Sequence, residues 1–414
     1  MTAAGLQRTR SSQMVLGLLC LMYLILFVSR VSLSTAAPPM KQDLGLSNAQ
    51  LGLAFSAFAI PYAAFQLIGG WIGDRLGPRF TLGLCCAIVA TATALTGAAG
   101  GFGSLFALRV ALGFGEGAAF PAATGVMARW IPVERRGFAQ GITHSFARIG
   151  NALTPALVAG LLAFVSWRAA FGILGSVVVL WLAAWIWYFR DDPRKDAEGL
   201  PPVAASRRPE IPWLALGRRI LPVTLVDFCY GWTLWLFLTW IPSFFLENYH
   251  LNLGTSALFS VGVLSAGVVG DTAGGVWSDW LLHKSRDLAR ARRSVIVTGF
   301  LGAFAFLLPV MLIHNLAVAA VGLSLAFFFA ELIVAPIWSI PMDVAPKYAS
   351  TASGMMNFGF GVAGLVSPAS FGYLVDRTGN WAVPFAGSAA LLLLGAALAW
   401  RLRLDRTFEE RSML

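Results

Sequence analysis

The chain has 414 residues, 57% of them hydrophobic and only 12% charged, with a mean hydropathy of +0.72. That balance excludes a soluble domain and indicates a polytopic membrane protein. A formal charge of +10 would suggest a nucleic-acid partner only if the basic residues formed a patch, and their positions along the chain show that they do not.

Hydropathy predicts twelve apolar spans, near residues 14–37, 49–72, 80–100, 102–128, 137–164, 167–189, 218–246, 254–282, 294–314, 316–342, 349–375 and 379–402. The fold class is therefore an all-α membrane protein of twelve transmembrane helices. With both termini in the cytoplasm, 24 of the 30 Lys and Arg residues fall in the tails and inner loops, and the outer loops hold only Lys41, Arg168 and Arg377. This is the positive-inside pattern, so the basicity reports topology and the expected surroundings are a lipid bilayer, not nucleic acid. Arg outnumbers Lys 26 to 4 and no Asn-x-Ser/Thr sequon occurs, which points to a bacterial inner membrane. Span one follows a short basic tail, but it lacks a small-residue cleavage site and carries Arg30, so it reads as a retained helix. Cys20, Cys85, Cys86 and Cys229 all fall in apolar spans, where they read as packing residues.

Charges inside the spans are the chemical signal. In span one, Arg30 shares a helical face with Tyr23, Phe27 and Ser34. Span four holds Arg109 and Glu116, seven residues and about 10.5 Å apart on one face, too far to touch. A charge at the bilayer centre costs at least about 2.5–3.5 kcal/mol, so such residues are normally paired or functional. Burial favours the neutral form of Glu116 and a nearby arginine its ionised form, opposed tendencies that suit a proton switch. Span five places His144, Arg148, Asn151 and Pro155 on one face. Asp227 and Asp271 lie about two turns inside the predicted inner ends of spans seven and eight, where gate-forming ion pairs are the ordinary expectation.

The polar stretch 190–215, with Asp191-Asp-Pro-Arg-Lys-Asp and Pro201-Pro202, divides six spans from six. This predicts two six-helix bundles, residues 1–189 and 216–414, joined by a cytoplasmic linker. The two halves repeat one another. Gly69-Gly-Trp-Ile-Gly-Asp74 aligns with Gly274-Gly-Val-Trp-Ser-Asp279, and Gly141…Pro155 aligns with Gly354…Pro368. Glu116-x4-Pro121 likewise aligns with Glu331-x4-Pro336. Repeats of this kind place substrate sites between halves near the midplane. Glycines such as those in Gly113-Phe-Gly-Glu-Gly117 read as close-packing surfaces. No Gly-x4-Gly-Lys-Ser/Thr occurs, so ATP-driven transport has no support, and the four scattered histidines offer neither a metal site nor a catalytic triad.

Gly70-x3-Asp74-Arg75-x-Gly77-Pro78-Arg79 resembles the signature loop of the major facilitator superfamily. Further motifs narrow the likeness: Arg30-Val-Ser-Leu-Ser-Thr-Ala-Ala-Pro, Phe55-Ser-Ala-Phe-x3-Tyr62-x3-Gln66, Arg109-x6-Glu116-x4-Pro121, Leu238-Thr-Trp-Ile-Pro242 and Asp343-Val-Ala-Pro346. Together they resemble the anion:cation symporter family, which includes bacterial proton-coupled sugar-acid importers and is related to vesicular glutamate and sialic acid transporters. The resemblance implies that Arg30 holds a substrate carboxylate, that Glu116 across the cavity carries the coupled proton, and that Tyr62, Gln66, Trp338 and Asn357 face the cavity. His144 and Arg148 join this substrate set as charged or polar groups within span five. Asp74, Arg75, Arg109, Asp227, Asp271, Asp279 and Glu331 are expected in gating or ion-pair roles. Sugar-acid members commonly carry Asp before the span-one arginine and Tyr two residues earlier. This chain has Ser29 and Phe27, which implies one proton per anion and a compact carboxylate or sulfonate with fewer hydroxyls than a hexuronate.

The sequence thus describes a monomeric, proton-driven importer of a small organic anion that is not an enzyme and needs no cofactor. Two rival readings are efflux antiport of amphiphilic compounds, which three intramembrane arginines disfavour for cations, and a transporter-like anion receptor, for which the 26-residue linker offers little signalling surface.

Overall fold

The computed structural model describes residues 3–46, 48–191, 211–251, 253–404 and 407–408. Most of the predicted linker, residues 192–210, therefore lies outside the described residues, as do parts of both tails. The described residues contain helices and no strand. Among the described residues twelve helices are long and apolar enough to cross a membrane, here called spans one to twelve: Ser12–Leu44, Leu53–Leu76, Pro78–Thr96, Phe102–Trp130, Val133–Leu162, Trp167–Tyr188, Trp213–Ile241, Leu258–Ser285, Leu288–Leu312, Leu316–Val344, Pro346–Val375 and Ala382–Trp400.

Hydropathy located every span but misjudged some ends. Span one continues through Pro38 and Pro39 to Leu44, seven residues beyond the expected end. Its polar tip is anchored: Asp43 accepts hydrogen bonds from Trp167 Nε1 at 3.1 Å and from Arg168 at 2.9 Å. Arg168 also donates to the Gly97 and Ala99 carbonyls, so one side chain ties three segments. Span nine begins six residues early, where Asp287 caps it by accepting from the Arg290 amide at 2.9 Å. Arg292, expected in a loop, is consequently inside the helix and fully buried.

Prolines explain the breaks. Pro61 cannot donate to the Ala57 carbonyl, and span two is interrupted at residues 57–58. Pro336 withholds the same bond from Leu332, and span ten is interrupted at residues 332–333. Span four, by contrast, runs unbroken through Pro121.

Packing repeats with a six-helix offset. Span four packs on spans two and three, and span six on three; span ten packs on eight and nine, and span twelve on nine. The chain forms two compact units. One comprises Met1–Pro132, Ile149–Trp213 and Pro346–Gly354, and the other Val133–Arg148, Leu214–Ala345 and Met355–Leu414. Spans five and eleven each contribute to both.

Within the first unit, glycine permits the approach that builds the site: a Cβ at Gly117 of span four would lie 2.6 Å from the Tyr62 carbonyl oxygen of span two. In the second, a Cβ at Gly267 or Gly270 of span eight would meet the Glu331 side chain at 3.0 Å. Small residues thus bring the helices bearing Glu116 and Glu331 close to their neighbours.

Candidate functional site

In the first unit, Arg30 and Glu116 bond directly. Arg30 Nε donates to Glu116 Oε2 at 2.7 Å and Nη2 lies 2.6 Å from the same oxygen. The sequence reading placed these two residues across a cavity from each other. The structure instead joins them, because spans one and four pack together and the arginine stem spans the gap. Glu116 is fully buried, whereas the Arg30 side chain keeps 17% of its surface exposed. Among the described residues Glu116 Oε1 has no hydrogen-bond partner.

Aromatic rings surround the guanidinium. Arg30 Cζ lies 4.4 Å from the Phe27 ring centroid, 4.7 Å from Tyr62, 4.9 Å from Phe58 and 5.8 Å from Phe120. Tyr23 and Tyr62 pack edge-on against Phe120 and complete the wall. Ring faces stabilise a guanidinium without neutralising it, so the charge stays available to an anion. Arg109 approaches from the other side: its Nη1 donates to the Arg30 carbonyl at 3.4 Å and its Cζ lies 5.4 Å from the Phe58 ring. It makes no ion pair with Glu116, as the two-turn spacing requires. Gln66, one turn after Tyr62, is fully buried, and neither amide atom has a hydrogen-bond partner among the described residues. Ser29 points elsewhere, into an apolar groove of about 490 Å³ with Leu24, Ile25, Val28, Leu161 and Phe164.

The second unit holds another buried pair. Arg148 Nη2 donates to Glu331 Oε2 at 2.9 Å and Oε1 at 3.1 Å, and to Tyr230 Oη at 3.2 Å. Tyr230 in turn donates to Glu331 Oε2 at 3.1 Å. Arg148 Nε lies 3.5 Å from Asp271 Oδ2. Glu331 therefore has an arginine after all, supplied by span five and not by its own helix. His144, one turn before Arg148, is held by its Nδ1–H, which donates to the Gln140 carbonyl at 2.8 Å. Its ring lies 5.2 Å from Trp338, and Asn357 is buried on span eleven. Asp227 departs from expectation. It is fully buried, but among the described residues it makes no ion pair and neither carboxylate oxygen has a hydrogen-bond partner. The group facing it is the Phe360 backbone amide.

The remaining predicted charges sit at helix ends. Asp74 accepts from the Ser350 and Thr351 amides at 3.1 and 2.7 Å, capping the start of span eleven. Asp279 does the same for span five through the Gly137 and Phe138 amides at 3.0 and 2.6 Å. A carboxylate there satisfies amides that have no partner within their helix and complements the helix dipole. Arg75 is exposed over Trp71. Asp279 also binds Arg292 at 2.7 Å, and Asp343 bridges Arg292 and Arg136 at 3.1 and 3.0 Å. Arg292 and Arg136 were counted by sequence as loop charges. Of the residues that sequence reasoning did not single out, Phe58 carried a usable signal, the four-residue spacing Phe58, Tyr62, Gln66 that defines one face, and Tyr230 carried none.

Twelve membrane-length helices, a packing pattern used twice and ion pairs buried at mid-helix define a membrane transporter. A family model described as the Major Facilitator Superfamily matches residues 19–368, and the chain belongs to that superfamily. It is 48% identical over 405 residues to the probable sulfoacetate transporter SauU of Cupriavidus necator, covering 94% of this chain and 93% of that protein. It is 29% identical over 376 residues to the hexuronate transporter of Bacillus subtilis, covering 89% and 88%. Among solved structures, the proton:xylose symporter XylE superposes with a TM-score of 0.79 at 15% identity, covering 98% of this chain and 99% of XylE. The resemblance to organic-anion carriers is thereby borne out.

Proposed function

We propose that the protein is a proton-coupled symporter that imports a small organic anion by alternating access, with both termini on the cytoplasmic side of a bacterial inner membrane. The observation that carries this reading is the Arg30–Glu116 pair inside its aromatic wall. Two arginines, Arg109 buried and Arg30 partly exposed, face one acid, so the site has one positive charge to spare. While Glu116 is ionised, it occupies the Arg30 guanidinium. Protonation of Glu116 frees that fork for a carboxylate or sulfonate, which it matches bidentately. Deprotonation on the cytoplasmic side lets Glu116 reclaim Arg30 and displace the anion. Proton and anion thus move together because each state of Glu116 permits only one partner for Arg30.

The wall and the relatives support a compact anion as substrate. Five aromatic rings offer two phenol hydroxyls, those of Tyr23 and Tyr62, and among the described residues Gln66 adds one unpartnered amide, a sparse polar lining that suits a compact anion better than a polyol. A relative with 48% identity is named as a sulfoacetate transporter, which makes a short sulfonate-carboxylate the first substrate to test.

The test is uptake of labelled sulfoacetate into proteoliposomes under an imposed pH gradient, acid outside. Accumulation that a protonophore abolishes is the expected result, and binding without accumulation overturns the reading. Glu116→Gln is expected to retain binding and counterflow while losing the ability to concentrate substrate. A variant that still concentrates it would show that the proton resides on another group.

A further inference from the structure

The interior of the second unit carries more acid than base. Arg148 has two carboxyl groups within 3.5 Å, those of Glu331 and Asp271. Glu331 receives two bonds from Arg148 and one from Tyr230, whereas among the described residues no donor group hydrogen-bonds to Asp271, whose carboxyl lies against that of Glu331. Both acids are fully buried. The other groups facing the cluster add no positive charge. From span five come His144, already donating to a backbone carbonyl, and Ser145, bonded to Val268 O at 2.8 Å and Thr272 Oγ1 at 2.7 Å. Span seven contributes Tyr230 and, three residues earlier, the unpaired Asp227. The neighbouring Arg292 and Arg136 are matched by Asp279 and Asp343.

A buried carboxylate without a counter-charge takes up a proton rather than remain ionised. One arginine balances one carboxylate. Glu331 takes the arginine by virtue of its three bonds, and Asp271, 3.5 Å from Arg148 and set against the Glu331 carboxyl, is left over, with its proton placed to bridge the two acids. We propose that Asp271 is a second proton-carrying site, separate from Glu116, which binds one proton beside the Arg148–Glu331 pair. The role of this proton in transport rests on the symport reading above; its presence on Asp271 does not. With Glu116 and Asp271 both loaded, two protons accompany each anion, in place of the single proton that Ser29 implied, because Asp271 supplies the acid missing at position 29. A sulfonate-carboxylate dianion then enters without net charge, whereas a single proton would leave it opposed by an inside-negative potential.

The test pairs transport with spectroscopy on the full-length protein. Each coupled proton contributes up to about tenfold accumulation per pH unit of gradient. With the membrane potential clamped at zero and a gradient of about one unit, sulfoacetate should reach about 100-fold in the wild type and about 10-fold in Asp271→Asn. Infrared spectra of the wild type should show protonated-carboxyl stretches, one of which, sensitive to deuterium exchange, disappears in Asp271→Asn and persists in Asp227→Asn, where the separate stretch of the equally unpaired Asp227 is lost instead. Glu331→Gln leaves Asp271 to pair with Arg148 and should lose the same stretch, so it serves if Asp271→Asn does not fold. An unchanged accumulation limit together with an unchanged spectrum in both variants overturns the proposal. If the wild type fails to accumulate substrate while the stretch vanishes in Asp271→Asn, the symport reading falls and the proton site stands.

Discussion

The two buried clusters share a backbone position and differ in charge. Glu116 of span four and Glu331 of span ten each lie five residues before a proline, on helices that occupy matching places in the six-helix pattern. Each binds an arginine from another span. Around Glu116 there are two arginines and aromatic walls, and around Glu331 one arginine, a second acid and a tyrosine hydroxyl. Low dielectric magnifies this difference, because an unbalanced charge there attracts whatever neutralises it. A surplus of cation suits an anion. A surplus of carboxyl suits a proton.

Substitutions that separate the two clusters test the comparison, and the largest effect is expected at Arg148. Arg148→Ala leaves Glu331 with no cation and should destabilise the protein by about 3–5 kcal/mol, read as a large fall in the detergent melting temperature. Arg30→Ala should cost less stability, because Arg109 still acts on Glu116, while sulfoacetate binding is lost. If the two variants melt alike, the contrast in charge balance is wrong.

Arg30→Lys keeps the charge and removes the fork, so affinity measured by thermal shift or calorimetry should fall about 10- to 100-fold, as expected for losing one charge-assisted hydrogen bond. Phe27→Ala opens one wall and should weaken binding about 2- to 30-fold, corresponding to a cation–π contribution of about 0.5–2 kcal/mol. Equal binding in the wild type and this variant would show that the rings merely fill space. Among the helix caps, Asp74→Asn should cost only about 1 kcal/mol of stability. Asp279→Asn should cost more, because it also strips a partner from Arg292; identical melting temperatures would remove that distinction.

The sequence by itself determined the number of helices, the repeat and the pair of glutamates. Those features are periodic or compositional, and a membrane demands about twenty apolar residues for every crossing. It also marked Asp74 and Asp279 as residues of one kind, because their motifs repeat. Only the tertiary structure decided who pairs with whom. Glu331 meets Arg148, 183 positions away, and Arg30 meets Glu116 across 86. No helical spacing encodes such contacts; they arise where small residues let two helices approach and long side chains bridge the remainder. Arg292 shows the same limit from the other side. In sequence it is one of several basic residues after span eight, and in the fold it is buried because Asp279 and Asp343 converge on it. Charge type can be read along a chain, but charge balance belongs to three dimensions, where the low dielectric of a packed interior makes each uncompensated group choose a partner.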